Sequence, residues 1–442
     1  MSKARTLSKK MSPGLLRVME RARRNPQERQ LALAHLIDEE ALRRAYSRIR
    51  KDAAVGVDGV TKEAYGKDLE ANLQDLHRRL KGMKYRHQPI RRVHIPKDKG
   101  RTRPIGISTL EDKVLQGALC EILEAIYEQD FLDCSYGFRP GRSPHDALRT
   151  LTKVANGGKG SWILEADISS FFDTVDRQKV LEMLQKRIAD KSFMRLIAKC
   201  LHVGVLDGDV FTRPDEGTVQ GSIISPMIGN IYLHYVLDEW FETEVKSRLK
   251  GRAVLIRYCD DFVICFEHFE DAKRVMDVLG KRMSKYNLAL HPEKTRLIDF
   301  RRPPTGNSGG KGPGSFDFLG FTIFWKRNRR GTGWHQSMKT RTARLTRAIR
   351  NANELCRRQR HCAIPVQHQA LVRRIRGHYG YFGVNDNDRS LGQLKYWVER
   401  AWYKWLNRRS QRSRLNWERF QDLLRDFPLP TPRVYVNLWG TP

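Results

Sequence analysis

Short apolar runs alternate with amphipathic stretches along most of the chain, and the period of each run predicts its element. Leu15, Leu16, Met19 and Ala22 recur at helical spacing, as do Leu31, Ala34, Leu36 and Ile37 and then Ala41, Leu42, Ala45, Tyr46 and Ile49. Residues 13–50 therefore read as largely helical. A glycine-rich turn follows at Gly56-Val57-Asp58-Gly59. Residues 93–95 and 105–107 read as strands joined by a polar loop over 96–104, and residues 110–130 as a helix. Residues 227–240 predict a further helix. The Pro- and Gly-rich stretch 303–314 predicts irregular backbone, and strand character resumes over 316–324. From about residue 338, Leu345, Ile349, Ala352 and Leu355 keep helical spacing inside an arginine-rich segment.

One hairpin stands out. Val254, Leu255 and Ile256 precede Asp260-Asp261, and Phe262, Val263 and Ile264 follow, which predicts strand, tight turn, strand with two carboxylates at the tip. Adjacent acids repel unless a cation lies between them, and hard oxygen ligands suit Mg²⁺. A solvated Asp-Asp turn is the competing reading. A third acid, Asp167, ends the apolar run Trp162-Ile163-Leu164-Glu165-Ala166 and precedes Phe171-Phe172. Two such strands side by side in one sheet would bring Asp167 to Asp260 and Asp261. Three carboxylates can hold two Mg²⁺ ions, the arrangement that clamps the attacking and leaving oxygens in phosphoryl displacement.

Charge then narrows the partner. Over 442 residues, 82 Lys and Arg face 50 Asp and Glu, a net charge of +32, and such an excess points to nucleic acid. No apolar run is long enough to span a bilayer, and the N-terminus is a basic arm without an apolar signal core, so a cytoplasmic protein with no membrane partner is expected. The seven cysteines form no C-x-x-C pair, which fits a reducing compartment and gives no support for a zinc ribbon.

Several smaller features carry candidate chemistry. Lys97, Lys99, Arg101 and Arg103 lie on one loop that can fold over a triphosphate, or serve as an ordinary solvated basic loop. In Gly217-Thr218-Val219-Gln220-Gly221-Ser222, small residues allow close backbone approach, and Gln220 can donate to a nucleotide; a loop capping the next helix is the alternative. Phe172, five residues after Asp167, can wall off a ribose 2′-hydroxyl or fill the core. Arg344, Arg347 and Arg350 on the arginine-rich helix are candidate RNA contacts, or a solvated face.

Taken in order, these blocks resemble reverse transcriptases, and most closely the group II intron-encoded reverse transcriptase/maturase family of bacteria and organelles. Gly56–Gly59, Ser135–Ser143, His291-Pro292-Glu293-Lys294-Thr295 and Phe318-Leu319-Gly320-Phe321 add to the likeness, which runs from about residue 30 to the C-terminus. The resemblance implies an α+β right-hand polymerase: a basic helical extension over 1–50, fingers and palm with an antiparallel sheet and helices over 51–335, and a helical thumb or maturase domain over 336–442. It implies that Asp167, Asp260 and Asp261, with the Ile168 carbonyl, bind Mg²⁺. It implies that Lys97 and Arg103 contact the triphosphate and that Gln220 and Phe172 line the incoming deoxynucleotide. Lys294 and Gly320 match blocks near the palm and primer grip. Residues 369–405, with Ile375-Arg376-Gly377-His378-Tyr379, resemble the maturase-specific region.

The implied partners are group II intron RNA, an RNA template with a DNA primer, deoxynucleotides and target DNA, in a bacterial cytoplasm. Many relatives end in a cysteine-bearing HNH endonuclease. This chain stops at Pro442 without one, so the expectation is priming from existing DNA ends. The leading expectation is an RNA-directed DNA polymerase that also promotes splicing of its intron. Two alternatives stand beside it: a splicing-only RNA-binding cofactor, and a domesticated relative acting in DNA repair, phage defence or CRISPR spacer acquisition.

Overall fold

The computed structural model describes residues 11–96, 102–158, 160–212, 217–218, 220–304, 314–328, 330–410 and 415–439. Near the N-terminus, Ser12 caps the helix Pro13–Arg24 and Asp38 caps Glu39–Arg48, each side-chain oxygen accepting from a backbone N–H three residues on. The stretch between departs from the helical expectation. Only Ala34–Leu36 forms a single 3-10 turn, and Leu31 is 72% exposed. Both oxygens of the Asp190 carboxylate are engaged: Oδ2 accepts from Leu33 N at 2.6 Å and Ala34 N at 2.8 Å, while Oδ1 caps the helix Lys191–Leu201. Bonds to a distant segment thus replace the intrahelical ones that the local period would have used.

Three sheets follow among the described residues. β1 (Ile90–Pro96) and β2 (Thr102–Ile107) form an antiparallel hairpin; β4 (Val205–Asp207) adds to β1 in parallel, and β5 (Val210–Thr212) completes that sheet. The central sheet contains β3 (Trp162–Asp167), β6 (Ala253–Tyr258), β7 (Asp261–Phe266) and β8 (Arg296–Asp299) in the order β6-β7-β3-β8, with every neighbouring pair antiparallel. The third sheet holds β9 (Phe316–Phe318), β10 (Phe321–Arg327) and β11 (Trp334–Thr340). The single strand expected over 316–324 is thus two, broken where Leu319 and Gly320 take φ of +50° and +81°. The expected helix at 227–240 starts at Ser225, is α-helical to Leu233, and widens into π turns at His234–Asp238 and Phe241–Val245.

Side chains alternate across the central sheet, so each face has its own core. Leu164, Ala166, Leu255, Phe262, Ile264 and Phe266 pack into the larger core, which also takes in the helices Leu110–Tyr127 and Phe269–Lys285. Ile163, Ile256, Val263 and Cys265 face the helix Pro144–Asn156 and the third sheet. A separate core joins the helices Thr342–Gln359, Ile364–Phe382, Asp388–Leu406 and Trp417–Asp426 around Trp402, which is fully buried and donates to Gln367 Oε1 at 3.0 Å. Truncating a side chain so placed costs about 3–5 kcal/mol. No helix among the described residues is long and apolar enough to cross a membrane.

Candidate active site

Asp167, the last residue of β3, lies directly opposite Asp261, the first residue of β7. Paired residues of an antiparallel ladder have Cα atoms roughly 5 Å apart, and like charges so placed destabilise the sheet. Asp261 also faces Tyr258 across the β6–β7 hairpin, leaving Cys259 and Asp260 as a two-residue loop. Cys259 takes φ +60°, a left-handed conformation that few side chains adopt without cost. Gly137 makes room for it: a Cβ there would fall on Cys259 Sγ and within 2.6 Å of its N. The Cys259 thiol is pushed up to about 12 by burial and by the neighbouring Asp260, which makes it a packed residue and not a reactive thiolate.

The three acids therefore occupy one end of the central sheet. Burial raises Asp261 to about 7, reinforced by the charges of Asp260 and Asp167; a hydrogen bond from the Leu319 backbone N–H acts in the opposite sense. Asp260 is raised by burial and by Asp167, while Arg103 and Lys294 lower it. Among the described residues no three His, Cys, Asp or Glu side chains converge into a ready-made ligand cage. Lys294 Nζ is 2.6 Å from Asp167 Oδ2 and pairs with that carboxylate. The residues still fit Mg²⁺, because this ion keeps several waters and is held by one or two carboxylates plus substrate phosphates. Two carboxylates raised by burial and by neighbouring acids are a site where such an ion would offset the repulsion.

The other expected residues fall as follows. Arg103 on β2 is exposed and near enough for its charge to act on Asp260. Lys97 lies outside the described residues. Ile168 is 3% exposed and bridges to Leu290. Phe172 is half-buried, its ring 5.2 Å from that of Phe171. Gln220 is half-buried, and its carbonyl accepts from Gly106 N at 2.7 Å, so the Gln220-Gly221 turn rests on β2. Arg344 and Arg350 are exposed and Arg347 is half-buried on the helix Thr342–Gln359.

Sequence reasoning missed two supports of this site. The β9–β10 turn reaches Asp261 through Leu319 N–H, while Tyr381 OH, on the helix Ile364–Phe382, donates to the Leu319 carbonyl at 2.9 Å. Arg257 is completely buried beneath the hairpin. An arginine inside an apolar strand is the signal that could have exposed it, since such a charge demands a partner.

Residues 95–323 match the family model for reverse transcriptase (RNA-dependent DNA polymerase). The chain belongs to that family. Protein YkfC of Escherichia coli (strain K12) is 35% identical to this reverse transcriptase over 306 residues, 62% of this chain and 77% of that protein. The group II intron-encoded protein LtrA of Lactococcus lactis subsp. cremoris is 36% identical over 191 residues, 43% of this chain and 32% of that protein. Nuclear intron maturase 1, mitochondrial, of Arabidopsis thaliana is 37% identical over 91 residues, 21% of this chain and 12% of that protein. These relatives identify a reverse transcriptase of the group II intron type.

Proposed function

We propose that this RNA-directed DNA polymerase extends a DNA primer on an RNA template, with Asp167, Asp260 and Asp261 and the Ile168 carbonyl holding two Mg²⁺ ions. The observation that carries the reading is the direct pairing of Asp167 with Asp261, with Asp260 in the adjoining loop. Mg²⁺ bound there would lower the barrier by drawing charge from the attacking 3′-oxygen and the leaving pyrophosphate. The remaining work belongs to side chains. Arg103 supplies a planar fork for the triphosphate, and Lys97, outside the described residues, supplies a point charge. The ring of Phe172 takes up space beside the ribose, and Gln220 lines the incoming nucleotide.

In this reading residues 51–335 act as fingers and palm, residues 336–442 as thumb and maturase domain, and residues 1–50 as a basic extension. The net charge of +32 supports a polyanionic partner, and the relatives' names support group II intron RNA as that partner. Splicing and mobility, with target DNA as the final acceptor, belong to the same proposal. The test is twofold. The purified protein should incorporate labelled deoxynucleotides on an RNA template with a DNA primer and Mg²⁺, and failure on every template overturns the polymerase reading. Sequencing of copurified RNA should return one structured intron, whereas diverse RNAs would favour a domesticated role.

A further inference from the structure

We infer that Arg257 is a positioning residue that locks the catalytic turn, and that Asp238 and Asn230 hold it in that role. Arg257 and Asp238 are each 0% exposed at the side chain. Arg257 Nε and Nη2 donate to the two Asp238 oxygens at 2.7 and 2.5 Å. Nη1 donates to Asn230 Oδ1 and to the Cys259 carbonyl, both at 3.0 Å, and Nη2 donates to Ser135 Oγ at 2.7 Å. All five guanidinium donors are thereby used.

The contact with Cys259 gives the network a task. Cys259 is the left-handed residue of the loop, and its carbonyl is the peptide group directly before Asp260. A planar guanidinium with no free donor fixes that peptide from below, and with it the direction in which Asp260 and Asp261 point. The partners come from the helix that follows the Gln220 turn. Between Asn230 and Asp238 an unbroken α-helix would turn about 80° past two full turns. The π turns at His234–Asp238 reduce that rotation, so both side chains reach the same guanidinium. Asn230 Nδ2 also donates to the Gly137 carbonyl at 2.7 Å, holding the glycine that makes room for Cys259.

The inference rests on the reading that Asp260 and Asp261 form the metal pair. Leaving one half of a buried ion pair risks unfolding, so the test replaces both: Arg257→Met with Asp238→Leu, two apolar groups for two paired charges. Asn230→Ala, which keeps the ion pair, is the second variant. Amide hydrogen exchange over residues 258–262 is the first readout, and it reports the turn whether or not metal binds. Expected are at least tenfold faster exchange there, unchanged exchange in the helices of the Trp402 core, and a several-fold higher Mg²⁺ requirement in primer extension with unchanged binding of template–primer. In Asn230→Ala the same changes appear, smaller. Wild-type exchange in the turn with wild-type Mg²⁺ dependence in either folded variant overturns the positioning role. A wild-type level of extension by Asp260→Asn would instead overturn the metal reading and leave the exchange result standing.

Discussion

Lys294 Nζ lies 2.6 Å from Asp167 Oδ2, with the lysine about half exposed and the carboxylate partly buried. A cation must displace this ammonium, or share the carboxylate with it, to bind Asp167. Partly exposed pairs of this kind contribute up to about 1 kcal/mol, a factor of roughly five in an equilibrium. Lys294→Met should therefore tighten Mn²⁺ binding to the nucleic-acid-free protein several-fold, read by electron paramagnetic resonance. Weaker binding in the variant would show that the ammonium supports the ligand set.

Asp260 sits at the loop tip, flanked by Asp261 and facing the charge of Arg103. Asp260→Asn keeps the shape and removes the charge. Primer extension should fall by roughly a thousandfold or more, about 4 kcal/mol of barrier. Binding of intron RNA, measured by filter retention, should stay within about twofold, because RNA affinity depends on basic surface elsewhere.

Asp261 gives a pH dependence with a defined sign. Its pKa of about 7 in the folded chain exceeds the ordinary value of 3.8, so the folded state holds the proton more tightly than the unfolded state. That stabilisation is complete below about pH 4 and is lost as pH rises through about 7. Metal-free protein should therefore lose thermal stability between pH 5 and pH 8. Asp261→Asn should lose less, and be the more stable of the two at pH 8 by up to about 4 kcal/mol. Mg²⁺ should restore wild-type stability at pH 8 and leave the variant nearly unchanged. Parallel melting curves across pH for the two proteins would contradict this.

Arg344 and Arg350 are exposed on one helix of the C-terminal core. Each phosphate that a protein ceases to neutralise lowers the dependence of log affinity on log salt by about 0.7–0.9. Changing both arginines to Ala should weaken intron RNA binding and reduce that slope by between about 1 and 2. An unchanged slope would mean that this face points away from the RNA.

The hairpin with its acidic tip was legible because short continuous apolar runs on either side of Asp260-Asp261 suit paired strands buried on both faces. The apolar run ending at Asp167 announced a third acid in the same way, and the β3–β7 pairing sets it opposite Asp261. The helical reading of residues 31–37 failed because the Asp190 carboxylate, far along the chain, captures the N–H groups of Leu33 and Ala34. The split of residues 316–324 turns on Leu319 and Gly320, of which only the glycine carries a turn signature; the left-handed Leu319 is tied to Asp261 through its N–H and to Tyr381 through its carbonyl.

Composition, local period and the ordered motifs by themselves pointed to a polyanionic partner and determined the acidic hairpin and the family, because charge is a sum over the sequence and strand character is read from neighbouring residues along the chain. Tertiary structure alone decided which strands lie side by side, that Lys294 reaches Asp167, and that Arg257 finds Asp238, Asn230 and Ser135 beneath the turn. Those contacts join residues far apart in sequence, and a buried charge reveals its partner only once folding has removed water from both.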